Sequence, residues 1–300
     1  MNDPSQRSAP PLPNVDASAI KEIATDVFVI SDRRIPLVPN IGIIRGSDSV
    51  LVVDTGMGPG NGKRALDAAR RVAGSRRLIL TITHFHPEHG FGAQAFKGSA
   101  RITYNSAQRD ELRAKGQAYL DMFLGFGPSV AQALVGTEII MPDDVYDGAS
   151  TEIDLGGHKV ELRTFGLAHT RGDQIVWLPA EKILFMGDLA EERIFPIFPW
   201  FPPNDADLDA ARWAKILSEL EGWKPKIVVP GHGDVGGGEI LAAVRDYIVD
   251  LGKRVAAERK AGKDADAIVA ELGPKIRAEH PDWDSPEWID FAIRYYSTLN

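Results

Sequence analysis

The chain has 300 residues, 44% hydrophobic and 25% charged, with 34 lysines and arginines against 42 aspartates and glutamates for a net charge of −8. That size and balance fit one large globular domain or two small ones, and the acidic excess argues against a nucleic-acid partner, which wants a basic face. No cysteine occurs, so disulfides, thiolate–metal sites, iron–sulfur clusters and a cysteine nucleophile are excluded, and any metal must be held by His, Asp and Glu.

The opening segment MNDPSQRSAPPLPNVDA is polar and proline-rich without an apolar stretch. It reads as a flexible arm over 1–18 and not as a signal peptide. A cytoplasmic location is expected, with the periplasm open if a leader has been removed. No window approaches the ~18 consecutive apolar residues of a membrane span, so no membrane partner is expected.

Short strands are expected at 27–30, 41–45 and 49–54, the last a near-continuous apolar run ending in Asp54. A Gly/Pro cluster follows, then a helix over 63–72 and another apolar strand over 77–83 that runs directly into His84. Residues 105–150 read as a helical insertion carrying Tyr119, Met122, Phe123 and Phe126. Strands return at 152–155 and 159–165, joined by Gly156-Gly157 as a hairpin, and a second pair spans 174–178 and 182–186. The stretch Ile194-Phe-Pro-Ile-Phe-Pro-Trp-Phe-Pro-Pro203 can be neither central strand nor helix. Asn204 or Asp205 is the expected N-cap of a helix to about Glu221, and a last strand covers 226–229. From 238 the chain is helical, and these helices either cover the domain or pair two subunits, which leaves a homodimer open.

The decisive stretch is Thr83-His84-Phe85-His86-Pro87-Glu88-His89-Gly90. Three of the seven histidines and a carboxylate lie within six residues at a strand end. Side chains alternate on an extended chain, so His84 and His86 point one way, while Pro87 turns Glu88 and His89 toward a neighbouring point. A cation there neutralises the clustered charge and takes the lone pairs. His169, Asp188 and His232 follow, each just after a strand or loop. The remaining two histidines, His158 and His280, read as surface. Gly231-His-Gly-Asp-Val-Gly236 fits a dinucleotide-binding pattern by letter, but only helices follow it. Its glycines read better as a tight turn past His232.

In order and spacing, Asp54, the 84–89 cluster, His169, Asp188 and His232 resemble the five motifs of the metallo-β-lactamase-fold hydrolase superfamily, over roughly residues 25 to 235. The resemblance implies an α/β fold, a four-layer αβ/βα sandwich, over 19–237 with the helical insertion at 105–150 and a C-terminal helical extension over 238–300. It implies that His84, His86 and His169 hold a first metal, that Glu88, His89 and His232 hold a second, that Asp188 bridges both, and that Asp54 orients one of the histidines. The cofactors implied are two divalent cations, zinc foremost with manganese or iron as alternatives. The family pattern is His-x-His-x-Asp-His, and Glu88 departs from it by one methylene, about 1.5 Å, against a ~0.2 Å tolerance for a metal–ligand bond.

The resemblance further implies a hydrolase that activates a hydroxide between the metals to cleave a small, rather apolar ester, lactone or amide, with Glu88 or Asp188 moving the proton. A bridging Asp188 resembles lactonases and thioesterases more than true β-lactamases, though promiscuous β-lactam hydrolysis stays open. The 19-residue interval from His169 to Asp188 also resembles that of persulfide dioxygenases, which keeps a mononuclear-iron oxidoreductase as an alternative. Phe123, Phe126, Phe195, Phe198 and Trp200 are the expected walls of a substrate pocket, with hydrophobic packing as the competing reading.

Overall fold

A computed structural model describes residues 12–299. Seven strands form the first sheet in chain order: β1 (Ile20–Ala24), β2 (Val27–Ile30), β3 (Ile41–Arg45), β4 (Ser49–Val53), β5 (Arg77–Thr81), β6 (Arg101–Asn105) and β7 (Asp144–Tyr146). β1 to β4 pair antiparallel and β4 to β7 parallel. A second sheet has the order β12-β11-β10-β9-β8, from β8 (Ser150–Asp154), β9 (Lys159–Thr164), β10 (Gln174–Leu178), β11 (Ile183–Phe185) and β12 (Ile227–Val229). Only β11 and β12 pair parallel in it.

Why the sheets stack follows from strand periodicity. Successive side chains leave opposite faces of a strand, and β4 has every residue buried. Val50 and Val52 enter one core while Leu51 and Val53 enter another. β10 divides likewise: Ile175 and Trp177 go outward, Val176 and Leu178 inward. The inner faces meet in a core of Val27, Val29, Ile44, Leu51, Val53, Val160, Leu162, Val176, Leu178, Phe185 and Val229. The outer face of the first sheet is covered by α1 (Gly58–Ala73), α3 (Ser106–Leu124) and α4 (Pro128–Leu134). α5 (Ala210–Gly222), α6 (Glu239–Lys260), α7 (Ala265–Glu279) and α8 (Trp288–Thr298) cover the second. The expected αβ/βα sandwich is the fold, and residues 238–299 form part of its outer layer.

Several boundaries differ from the sequence reading. Within 105–150, β7 follows the two helices and pairs with β6. α5 begins at Ala210, where the Asp209 carboxylate accepts the Arg212 N–H. Neither Asn204 nor Asp205, the two residues expected as its cap, caps it: Asp205 instead accepts the Trp200 N–H at 2.9 Å, and the Asp209 N–H donates to the Ala168 carbonyl. Of the arm assigned to 1–18, residues 1–11 lie outside the described residues. Over 12–18 the chain is tied down: Val15 is buried, its N–H donates to Asn61 Oδ1, and Asn61 Nδ2 donates to the Pro13 carbonyl. Among the described residues, no helix is long and apolar enough to cross a membrane.

Candidate metal centre

The site sits where strands of both sheets stop. Asp54 directly follows β4, β5 runs into the segment 82–86 and the single-turn α2 (Pro87–Gly90), the β9–β10 loop carries His169, a short turn after β11 carries Asp188, and the loop after β12 carries His232. In layered α/β folds ligands gather at such strand ends because the backbone there is free to present side chains.

Two sets of four side chains converge. His84, His86, His169 and Asp188 form one, and Glu88, His89, Asp188 and His232 the other, with the potential ligand atoms in each within 4.8 Å of one another. These residues are between 0 and 8% exposed. The first three imidazoles form a triangle with ring centroids 4.6, 5.1 and 5.0 Å apart. Asp188 belongs to both sets: its Oδ2 lies 3.6 Å from His84 Nε2, and its Oδ1 lies 3.2 Å from His89 Nε2 and 3.8 Å from His232 Nε2.

Each ligand-bearing side chain is aimed by its neighbours. Asp54, at φ 68°, accepts the Thr83 N–H at 2.7 Å on Oδ1 and lies 2.9 Å from His89 Nδ1 on Oδ2. His89 Nδ1 therefore donates outward and Nε2 faces Asp188. His232 Nδ1 donates to the Val38 carbonyl at 2.8 Å, which fixes the same tautomer. The His169 loop is pinned by Asp173, whose Oδ2 accepts the N–H groups of His169 and Thr170 at 2.7 and 2.8 Å. Tyr119 stacks on His86 with centroids 5.1 Å apart, and its hydroxyl bonds Asp205.

Electrostatics follow from burial and proximity. Burial pushes His84 and His86 well below the ordinary histidine range and His169 down to about 4, so all three present neutral lone pairs. Burial also pushes His89 down, but Asp188 and Asp54 together outweigh it and hold the ring well above the usual value. For Asp188 burial pulls upward, and His89, His232 and His84 overcome it to hold the carboxyl well below its usual range. Burial raises Glu88.

The donor set fits divalent cations on one further count. His84 Nε2, His86 Nε2, Glu88 Oε2, His89 Nε2, His169 Nδ1 and both Asp188 oxygens are buried without a hydrogen-bond partner. Buried polar atoms are almost always partnered, and leaving one unmet costs on the order of 1–3 kcal/mol. All seven atoms belong to residues of the two convergent sets, and coordination is what would give such a concentration of unmet buried polar atoms its partners.

A cavity of about 640 Å³ opens over the second set, and its lining includes Glu88, His232, Glu191, Asp32 and Arg34. Its apolar walls are Ile35, Pro36, Leu37, Ile194, Ile197 and Trp288. None of the five aromatics expected as walls lines this cavity. Phe195 and Phe198 are fully buried against the C-terminal helices, with Phe195 5.5 Å from Tyr247 and Phe198 5.3 Å from Tyr295. Phe123 is buried in the first sheet's outer core. Phe126 is exposed against Phe123 and Trp200, and Trp200 reaches the cavity only through Trp288, 5.6 Å away. His158 and His280 are half-buried, not surface: His158 Nδ1 lies 2.8 Å from Glu181, and His280 packs 4.4 Å from Trp283.

Sequence reasoning missed Glu191, Asp32 and Asn40. Asp32 Oδ2 accepts the Gly233 N–H at 2.8 Å, and Asn40 Nδ2 donates to the Pro230 and Gly233 carbonyls, so together they brace the His232 loop. Their one signal is polarity beside apolar strands, which many surface residues share. Glu191 stands three residues after Asp188, a spacing that becomes informative only once the turn at 187–189 is known.

Comparison with known proteins agrees with this geometry. The family model of the Metallo-beta-lactamase superfamily matches residues 34–232. The chain is 25% identical over 236 residues to the acyl-coenzyme A thioesterase MBLAC2 of Bos taurus, covering 71% of this chain and 80% of that protein. It is 22% identical over 293 residues to the linear primary-alkylsulfatase of Pseudomonas sp., covering 86% of this chain but 53% of that protein, so it spans about half the sulfatase's length. Among solved structures, a metallo-beta-lactamase from Pontibacter korlensis superposes with a TM-score of 0.59 at 19% identity, covering 76% of this chain and 97% of that one, a likeness of fold.

Proposed function

The chain belongs to the metallo-beta-lactamase superfamily of hydrolases, and from that premise we propose that it is a hydrolase using two divalent cations, zinc foremost, to cleave a small, rather apolar ester, lactone or amide. The observation that supports the reading is Asp188, which turns one oxygen toward His84 of the first convergent set and the other toward His89 and His232 of the second.

His84, His86 and His169 would hold one cation and Glu88, His89 and His232 the other, with Asp188 shared. Bound there, such a pair supplies a hydroxide from water near neutral pH and a Lewis acid for the carbonyl oxygen. The chain's own residues do the rest. Asp54 and the Val38 carbonyl keep His89 and His232 in the tautomer that leaves Nε2 free. Glu88 lines the cavity, and the carboxylate oxygen that coordination leaves free would take the proton that the attacking water gives up and return it to the leaving oxygen or nitrogen. Ile35, Leu37, Ile194 and Ile197 hold the apolar body of the substrate and exclude bulk water.

The mononuclear-iron alternative leaves the second set, with its orphaned Glu88, His89 and Asp188 atoms, without employment. Elemental analysis of purified protein beside a panel of esters, lactones, thioesters, alkyl sulfates and β-lactams tests the reading. Two zincs per chain with ester or lactone turnover that chelation removes and zinc restores is the expected result. One iron per chain with thiol-dependent oxygen uptake, or no turnover in metal-replete protein, overturns it.

A further inference from the structure

Glu191 is 3% exposed, its Oε2 is buried without a partner, and its side chain lines the cavity beside Glu88 and His232. It belongs to neither set of four convergent ligands, so coordination of the proposed cations does not account for it. Burial foremost, and then the like charges of Asp188, Glu88 and Asp32 against the opposing His89, push Glu191 well above the usual carboxylate range, so its charged form lacks the cationic partner that would hold it. A buried carboxylate without a donor is costly, and nothing in the proposed hydrolysis uses this one.

The rest of the lining says what would meet it. Asp32, Asp284 and Glu287 add further carboxylates. Arg34 is the single guanidinium, and it is already engaged: Nη2 with Glu192, Nη1 with Asp284 at 2.7 Å and Nε with Asp234 at 3.7 Å. Glu88 and Asp188 would be met by the proposed cations, whereas Glu191, Asp32 and Glu287 would not. The cavity thus combines apolar walls, an aromatic face at Trp288 and an unanswered acidic point at its buried end.

Resting on the hydrolase reading, we propose that this cavity selects substrates bearing an amine or ammonium group, with Glu191 as the carboxylate that receives it and Trp288, which lines the same cavity, as an aromatic surface for it. An N⁺–H donor supplies Glu191 with the partner it lacks, and a cation near an indole face is further favoured. Substrates with a carboxylate, sulfate or phosphate at the same place would meet like charge, so the polyanionic head of a coenzyme A thioester or the sulfate of an alkyl sulfate is disfavoured in this cavity.

The test is a matched series of acyl esters with one chain length and a terminal methyl, primary amine or carboxylate, measured as kcat/KM on zinc-loaded protein at low ionic strength. Alongside it, calorimetry measures binding of a non-hydrolysable alkylammonium to the same protein. The amine ester is expected to exceed the methyl ester by at least about tenfold, the scale of one charge-assisted hydrogen bond, and the carboxylate ester to fall below both. Glu191→Gln should collapse the amine-to-methyl ratio toward one, weaken alkylammonium binding and keep the wild-type metal content. Equal rates for methyl and amine esters, a ratio unmoved by Glu191→Gln, or a variant that loses a metal overturns the proposal. If no ester in the series turns over, the hydrolase reading fails by itself. The selectivity of the cavity is then still decided by calorimetry: binding that Glu191→Gln weakens supports it, and no binding overturns it.

Discussion

Gly231 faces the Asp188 carboxylate so closely that a Cβ at position 231 would lie 2.0 Å from Asp188 Oδ1. Real Cβ contacts do not come that close, so any other residue here must displace either the loop or the carboxylate that both ligand sets share. Gly231→Ala is expected to lower cation affinity 10- to 100-fold or more, the range for residues that orient ligands, with the far-UV spectrum unchanged. Zinc titration of the folded variant checks this, and wild-type affinity would contradict it.

Asp54 acts through His89 and Thr83. Asp54→Asn places an amide where two donors need an acceptor, and it loses the charge opposite His89. About 10- to 100-fold weaker binding of one zinc is expected, with a smaller effect on the other cation, since Asp54 reaches His84 only through Thr83 Oγ1, 2.9 Å from Asp54 Oδ2 and 3.1 Å from His84 Nδ1. Stepwise zinc titration followed by elemental analysis reads the two separately.

The aromatic–proline stretch divides between two roles. Phe198 is fully buried against Trp213, Tyr295 and Tyr296, so Phe198→Ala is expected to cost ~3–5 kcal/mol of stability and leave KM nearly unchanged. Ile197 lines the cavity, so Ile197→Ala should raise KM with a smaller loss of stability. Denaturant unfolding and steady-state kinetics on the pair distinguish wall from core.

Asp207 clamps the His169 loop to α3: its carboxylate bonds Arg171 at 2.6 Å and Lys115 at 2.8 Å. The Arg171 hydrogen bond foremost, with Lys115 and against some desolvation, holds Asp207 at about 2, below the ordinary aspartate value of 3.8. A lowered folded-state value contributes stability that is present above the unfolded value and is lost as pH falls toward 2. Wild type should therefore exceed Asp207→Asn by about 1 kcal/mol near pH 6, since the pair is partly solvent-screened, and the gap should close between about pH 4 and 2. A gap that persists to pH 2 would contradict this.

How much of this was legible before the fold depends on distance along the chain. Thr83 to Gly90 announced a ligand cluster because its four donors are neighbours in sequence, and alternation with a proline turn already sorts them into two directions. His169, Asp188 and His232 are placed only through the family resemblance, since each is isolated in sequence and β11 and β12, which carry the last two, pair across 44 residues, Ile183 with Ile227. β1, β6 and β7 were missed: they are short and partly polar, and β7 is three residues at a sheet edge. For Phe195 and Phe198 the competing reading, hydrophobic packing, is the one the structure shows, because their partners Tyr247, Trp283, Tyr295 and Tyr296 lie in a C-terminal segment whose packing the sequence leaves unplaced. In that stretch Ile194 and Ile197 line the cavity while the phenylalanines beside them are buried in the core, a period of three that neither a β-strand nor an α-helix has. Glu191 carried no sequence signal at all, and its meaning comes from burial without a partner.

The most direct test of the centre is an anomalous difference map from crystals grown with zinc. Two peaks ~3.5–4 Å apart are expected, one among His84, His86 and His169, the other among Glu88, His89 and His232, with Asp188 between them. A single peak, or zinc bound away from Asp188, would contradict the account.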